Sequence, residues 1–339
     1  MSGICAGLLV CCGLAAPILE AQESGRVTRG TIERLDPRFD ALVPPNAAIE
    51  VLASGFDWAE GPVWVEEDGG YLLFSDVPRN VVHRWDEAHG LSIWLRPSGY
   101  TGNIPRGGEP GSNGLTLDAG GHLILAQHGD RRIARLDTTG WSYVTVADRF
   151  EGKRFNSPND VVVDRAGNVY FTDPIYGLPK HENDPTRELD FCGVFRVTPE
   201  GRVSLLTKEL SRPNGIALSP DERTLYLNNS DSERAVCMAY PLASDGTLGP
   251  GRVFFDRTSE MGKKPGSPDG LKVDREGNVF SSGPGGILVF APDGTHLGTI
   301  ATGVATANCA FGGADGSTLY LAADGELLRV RLTPRKGLR

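Results

Sequence analysis

The sequence predicts an all-β chain folded as a six-bladed β-propeller, with four antiparallel strands per blade and the ring closed by an N-terminal strand. Three observations carry this. One short phrase recurs six times along the 339 residues. Each copy is followed by the same alternation of short apolar strands and Asp/Gly turns. The last copy is one strand short, and an unclaimed strand precedes the first.

The phrase reads AEGPVW from 59, GSNGLTLD from 111, SPNDVVVD from 157, RPNGIALS from 212, SPDGLKVD from 267 and TANCAFGG from 306. Its polar anchors are Glu60, Asn113, Asn159, Asn214, Asp269 and Asn308, separated by 53, 46, 55, 55 and 39 residues. Periods of roughly 40–50 residues mark propeller blades and related arrays. After each anchor comes a three- to four-residue alternating strand, a polar turn and a second strand, the grammar of antiparallel neighbours joined by tight loops. In the third copy the strands fall at Val161–Val163, Val169–Thr172, Val194–Thr198 and Val203–Thr207. In the second they fall at Leu115–Leu117, His122–Ala126, Ile133–Leu136 and Tyr143–Ala147. The sixth copy offers only Cys309–Phe311, Thr318–Ala322 and Glu326–Leu332, so Ile49–Ala53 is expected to complete it and remove the open edge. Residues 49–339 then form the propeller domain, 25–48 an N-terminal arm outside the ring, and 1–24 a signal or disordered segment.

Composition narrows the partners. Lys and Arg number 34 against 43 Asp and Glu, a formal net charge of −9 with no run of four basic residues, which argues against a nucleic-acid partner. No run of 18 apolar residues is present, so a spanning segment is not expected. Met1–Pro17 is apolar and small and reads like the core of a secretory signal, although no Lys or Arg precedes it. Export, to a periplasm, is the expectation; a cytoplasmic tail and lipid attachment at Cys11 or Cys12 are the alternatives. Cys192, Cys237 and Cys309 are far apart in sequence, lack any CxxC or Cys/His spacing and read as small buried hydrophobes.

In a propeller the residue just before each innermost strand stands at one mouth of the central channel. The six anchors therefore converge into a ring of two carboxylates and four amides. Two carboxylates in a narrow hole repel unless a cation neutralises them. Oxygen donors favour a hard divalent ion, calcium ahead of zinc, magnesium or manganese. The alternative is that the Asn and Asp anchors are turn formers bonded to backbone.

These phrases, together with AQHGDRR (126–132), FTDPIYG (171–177) and ANCAFGG (307–313), resemble the gluconolactonase/regucalcin family of six-bladed propellers, and its bacterial gluconolactonase branch in particular, from about Ile49 to Leu332. The resemblance implies one divalent metal ion held by Glu60, Asn159, Asn214 and Asp269. It implies Asp269 as general base and a small-molecule lactone as substrate. In parts of the family the residue at Asn159 contacts substrate instead. Asn113, His128, Asn159, Asp173 and Tyr176 are expected to line the mouth. For His128 packing is the alternative, and for Asp173 a turn role or a second metal. Animal members carry an arginine at the position of Ser157, so sugar recognition here must come from other residues.

The expected activity is hydrolysis of sugar (aldono-) lactones such as glucono-1,5-lactone, a gluconolactonase-like carboxylic ester hydrolysis. Other esters, lactones or organophosphates form a second reading, and a non-catalytic calcium-stabilised binding propeller a third. No GxSxG, GxxxxGK[ST], HExxH or GxGxxG motif competes.

Overall fold

The computed structural model describes residues 27–334; the expected signal at 1–24 lies outside them. The chain forms six antiparallel blades. The first blade is Ala59–Val65, Tyr71–Asp76, Val81–Asp86 and Gly90–Leu95. The second is Ser112–Leu117, Leu123–Gln127, Arg132–Asp137 and Ser142–Ala147. The third is Val161–Val163, Val169–Asp173, Gly193–Val197 and Val203–Thr207. The fourth is Pro213–Leu218, Thr224–Asn229, Val236–Pro241 and Arg252–Asp256. The fifth is Leu271–Val273, Val279–Gly283, Gly286–Phe290 and His296–Ala301. The sixth takes Asn308–Gly312, Thr318–Ala323 and Glu326–Arg331 from the C-terminal end and Ile49–Ser54 from the N-terminal end. The helices among the described residues are 3-10 turns of three to five residues.

In the second, third and fifth blades the Asp after the innermost strand explains the hairpin. Asp118, Asp164 and Asp274 each accept the backbone N–H of the residue four positions on, at 2.8–2.9 Å. That carboxylate closes the turn and starts the second strand in register. Alternation then places apolar side chains on both faces of each sheet, and every blade packs on the next. One core cluster joins Leu73 and Val82 of the first blade to Leu115 and Leu125 of the second. Another joins Phe171 and Phe195 of the third to Ile124 and Ile133 of the second. The hydrophobic core is thus a series of inter-blade seams around the channel.

The arm expected outside the ring runs along its rim and is built into two sheets. Thr28–Arg29 pairs with Ile49–Ser54, and Thr31–Arg34 pairs with His296–Ala301, giving the sixth and fifth blades a fifth strand each. Phe39, fully buried, enters the seam between those blades against Gly298. Phe39→Ala is expected to lower the unfolding free energy by about 3–5 kcal/mol, read from urea denaturation, with the arm cleaved earlier in limited proteolysis.

Candidate active site

The anchors stand at or just before the start of each innermost strand, and the glycines that follow four of them let blades close on one another. Gly61 has φ +55°, and a Cβ there would stand 2.1 Å from the carbonyl of Asn113. A Cβ on Gly215 would stand 2.1 Å from the carbonyl of Asp269. The backbone N–H groups of Gly114 and Gly215 donate to the carbonyls of Asn159 (2.7 Å) and Asp269 (3.1 Å), one anchor to the next across the blade boundary. Only a residue without a side chain permits that stitching.

Five anchors, Glu60, Asn113, Asn159, Asn214 and Asp269, line one cavity of about 420 Å³ at the mouth, together with Trp58 and Tyr176. The sixth, Asn308, lies beneath it and donates to Glu60 Oε2 at 3.1 Å. Its own Oδ1 faces Lys272 Nζ at 3.2 Å. Neighbours dictate the amide orientations. Asn214 Nδ2 donates to Ser230 Oγ at 2.9 Å, and Asn159 Nδ2 faces His128 Nε2 at 3.3 Å. That leaves Oδ1 of Asn113, Asn159 and Asn214, and Oδ1 of Asp269, buried with no protein donor. Four orphaned acceptors from four blades are costly unless something cationic or protic fills the space.

The carboxylates show the same imbalance. Glu60 is buried (1% exposed), and burial, with the neighbouring Asp160 carboxylate, pushes its carboxyl up to about 7 against the Gly61, Asn308 and Lys272 contacts. Burial first and the charge of the neighbouring Glu60 second raise Asp269 well above the usual carboxylate range. Its side chain reaches the partly open floor of the cavity, and its N–H is held by Ser282 Oγ at 2.8 Å. Tyr176 is half-buried beside Ser230, and burial pushes its phenol upward.

The ring fits a hard divalent cation by donor chemistry: two carboxylates for charge and amide oxygens that have no other partner. Among the described residues no group of three or more His, Cys, Asp or Glu side chains is placed to hold a metal ion, so amide oxygens would have to share the work.

Two expected mouth residues are placed differently. Asp173 is fully buried, and its two oxygens accept the N–H groups of Asn156 and Ser157 at 2.7 Å each. It braces the segment that leads to Asn159, and burial pushes its carboxyl up to about 7. Asp76 holds the Asp57 and Trp58 amides of the first blade in the same way, at 3.3 Å. His128 is fully buried behind Asn159, and its Nδ1 lies 3.1 Å from Glu109 Oε2 without good hydrogen-bond alignment.

Sequence reasoning missed Glu109, Ser230, Met261 and Ser267, which also line the cavity. Ser230 had a weak signal, its place just past a second strand. Glu109 comes from the connection between the first two blades, 96–111, whose residues lie outside the recurring phrase. The cysteine reading holds: Cys192, Cys237 and Cys309 are buried and free. No helix among the described residues is long and apolar enough to cross a membrane.

Residues 58–324 match the family model described as the SMP-30/Gluconolactonase/LRE-like region. The chain is 44% identical over 310 residues to a gluconolactonase of Zymomonas mobilis, covering 90% of this chain and 86% of that one. It is 28% identical over 282 residues to bovine regucalcin, covering 81% and 86%. A solved gluconolactonase of Xanthomonas campestris superposes with a TM-score of 0.78 at 30% identity, covering 91% of this chain and 97% of that one. With six stitched blades and anchors that meet at one mouth, the chain belongs to the SMP-30/gluconolactonase/LRE-like family of six-bladed propellers.

Proposed function

We propose that the protein is a divalent-metal-dependent hydrolase that opens sugar lactones such as glucono-1,5-lactone. The observation that carries this reading is the set of four donorless oxygens on Asn113, Asn159, Asn214 and Asp269, gathered around buried Glu60. Glu60, Asn214 and Asp269 would hold the ion, with Asn159 as a fourth contact and calcium the best match to amide donors. When bound, such an ion supplies a Lewis acid for the lactone carbonyl.

The chain's own residues supply the rest. Asp269 accepts a proton from the water whose oxygen adds to the carbonyl carbon, and returns it to the ring oxygen as the ring C–O bond breaks. Asn113 Oδ1 and the Tyr176 hydroxyl face the space a polyhydroxyl ring would fill. His128 and Asp173 act behind that surface, by orienting Asn159 and by bracing its segment. Similarity to proteins named gluconolactonase supports the substrate class. Trp58 and Met261 on the cavity wall favour, as a second reading, esters with an apolar leaving group. Export to the periplasm is proposed on the apolar run at 1–17.

A pH-stat assay over aldonolactones, aryl esters and an organophosphate tests this. Lactone turnover above background, abolished by chelator and restored by calcium, is expected. Turnover of aryl esters alone would shift the assignment to the second reading. No turnover by the ion-loaded protein would leave a binding propeller.

A further inference from the structure

The connection between the first and second blades, 96–111, is the longest of those that join one blade to the next, and it meets the third blade's loop at Gly177 and Pro179. It is fastened along its length. Asn80 Oδ1 accepts the N–H groups of Gly99 (2.7 Å) and Tyr100 (3.2 Å). Asp130 takes Thr101 through both N–H (3.1 Å) and Oγ1 (2.7 Å). Arg106 then reaches across two blades. Its guanidinium donates to the carbonyl of His128 at 3.1 Å and to that of Gly177. Gly108 beyond it lies against Pro179. Three residues past the pin, Glu109 is delivered to the cavity wall with its carboxylate 3.1 Å from buried His128 Nδ1.

The charge balance of that wall is one-sided. Its acidic members are Glu60, Glu109 and Asp269, and no Lys, Arg or His is among the side chains that line it. Glu60 and Asp269 have a use in the proposed function; Glu109 does not. Its charge still bears on the cavity, since it adds to the forces that oppose ionisation of Asp269. A carboxylate fixed by a strapped loop, facing a cavity without basic groups, repels an anionic substituent wherever that substituent sits. It remains a good acceptor for hydroxyls.

We infer that Glu109, held in place by Arg106, is a specificity determinant that restricts the site to uncharged polyhydroxy lactones and turns away those carrying a phosphate, sulfonate or second carboxylate. This rests on the proposed lactone hydrolysis and names the substrate class within it.

The test compares kcat/KM for glucono-1,5-lactone and its 6-phospho derivative on the full, calcium-loaded protein. The parent is expected to favour the neutral lactone by about 10²-fold or more. Glu109→Gln should narrow that ratio about tenfold and Glu109→Lys about a hundredfold, whereas Glu109→Asp should keep it within about threefold. Salt at about 0.5 M should narrow the parent's ratio but leave that of Glu109→Gln nearly constant. Arg106→Met should narrow it as well, because the carboxylate loses its station. Equal melting temperatures show that the variants fold. A Glu109→Gln ratio within about twofold of the parent overturns the inference. If the parent hydrolyses neither lactone, the functional reading fails separately, and selectivity is read by calorimetry with gluconate and 6-phosphogluconate. A preference for gluconate that Glu109→Gln narrows sustains the inference, and equal affinities in parent and variant overturn it.

Discussion

Asp269→Asn, saturated with divalent ion, is expected to hydrolyse glucono-1,5-lactone about 10²–10⁴-fold more slowly than the parent. Asparagine keeps the shape and one oxygen of the side chain but cannot hold the proton of the attacking water. The Asp269 N–H bond to Ser282 Oγ and its carbonyl's bonds with Asn228 and Gly215 are backbone contacts, so the substitution leaves the ring stitched. One negative charge leaves the ion's surroundings, so calcium must be titrated until kcat stops rising. A deficit in kcat at saturation identifies proton transfer at Asp269. Recovery to near the parental kcat would reduce Asp269 to a ligand.

Glu60→Gln is expected to weaken ion binding by on the order of a hundredfold, and to change how stability depends on pH. In the unfolded chain the Glu60 carboxyl ionises near 4.5, while in the folded ion-free protein burial and Asp160 push it up to about 7. Between those values the native state holds a proton that the unfolded state has released. Stability therefore falls as pH rises from about 4.5 to about 7, and the loss is complete above that range. The displacement corresponds to on the order of 3 kcal/mol, and Asp269 shifts in the same direction. His296, lowered to about 4 by burial and Arg257, gains stability with pH over part of this window. It is common to parent and variant, so their difference reports the Glu60–Asp269 pair, whose charges raise one another. Urea denaturation in chelator at about pH 5 and about pH 7.5 should show the variant overtaking the parent at the higher pH. Calcium should stabilise the parent more at the higher pH, where the carboxylates are unprotonated. A parent–variant difference independent of pH would remove Glu60 from the ion-free charge imbalance.

The two predictions concern residues that sequence alone placed in one ring, and the reason is physical. A propeller repeats one unit, so a residue type recurring at one position of the unit recurs at one radius and height in space. Glu60, Asn113, Asn159, Asn214 and Asp269 needed nothing but that recurrence to be brought together. The same logic foresaw the closure of Ile49–Ala53 on Glu326–Leu332, seen as Ile49–Ser54 paired with Glu326–Arg331, since a three-strand blade at one end of a ring must borrow from the other. The arm was harder to read. Thr28–Arg29 and Thr31–Arg34 are too short to announce themselves, and they become strands only because finished blades present open edges.

Within the candidate site the boundary between the two kinds of knowledge is sharp. Sequence determined the six blades, the ring of anchors and their oxygen-donor chemistry, because each is written once per repeat. Tertiary structure alone decided the orientation of each amide, the withdrawal of Asp173 and His128 behind the wall, the descent of Asn308 toward Lys272, and the arrival of Glu109 over the mouth. An amide turns toward whichever donor or acceptor stands beside it, and a loop lands where its pins hold it. Some of those neighbours come from other blades, as His128 does for Asn159, and others, such as Ser230 beside Asn214, from positions of the same blade that the recurring phrase does not specify.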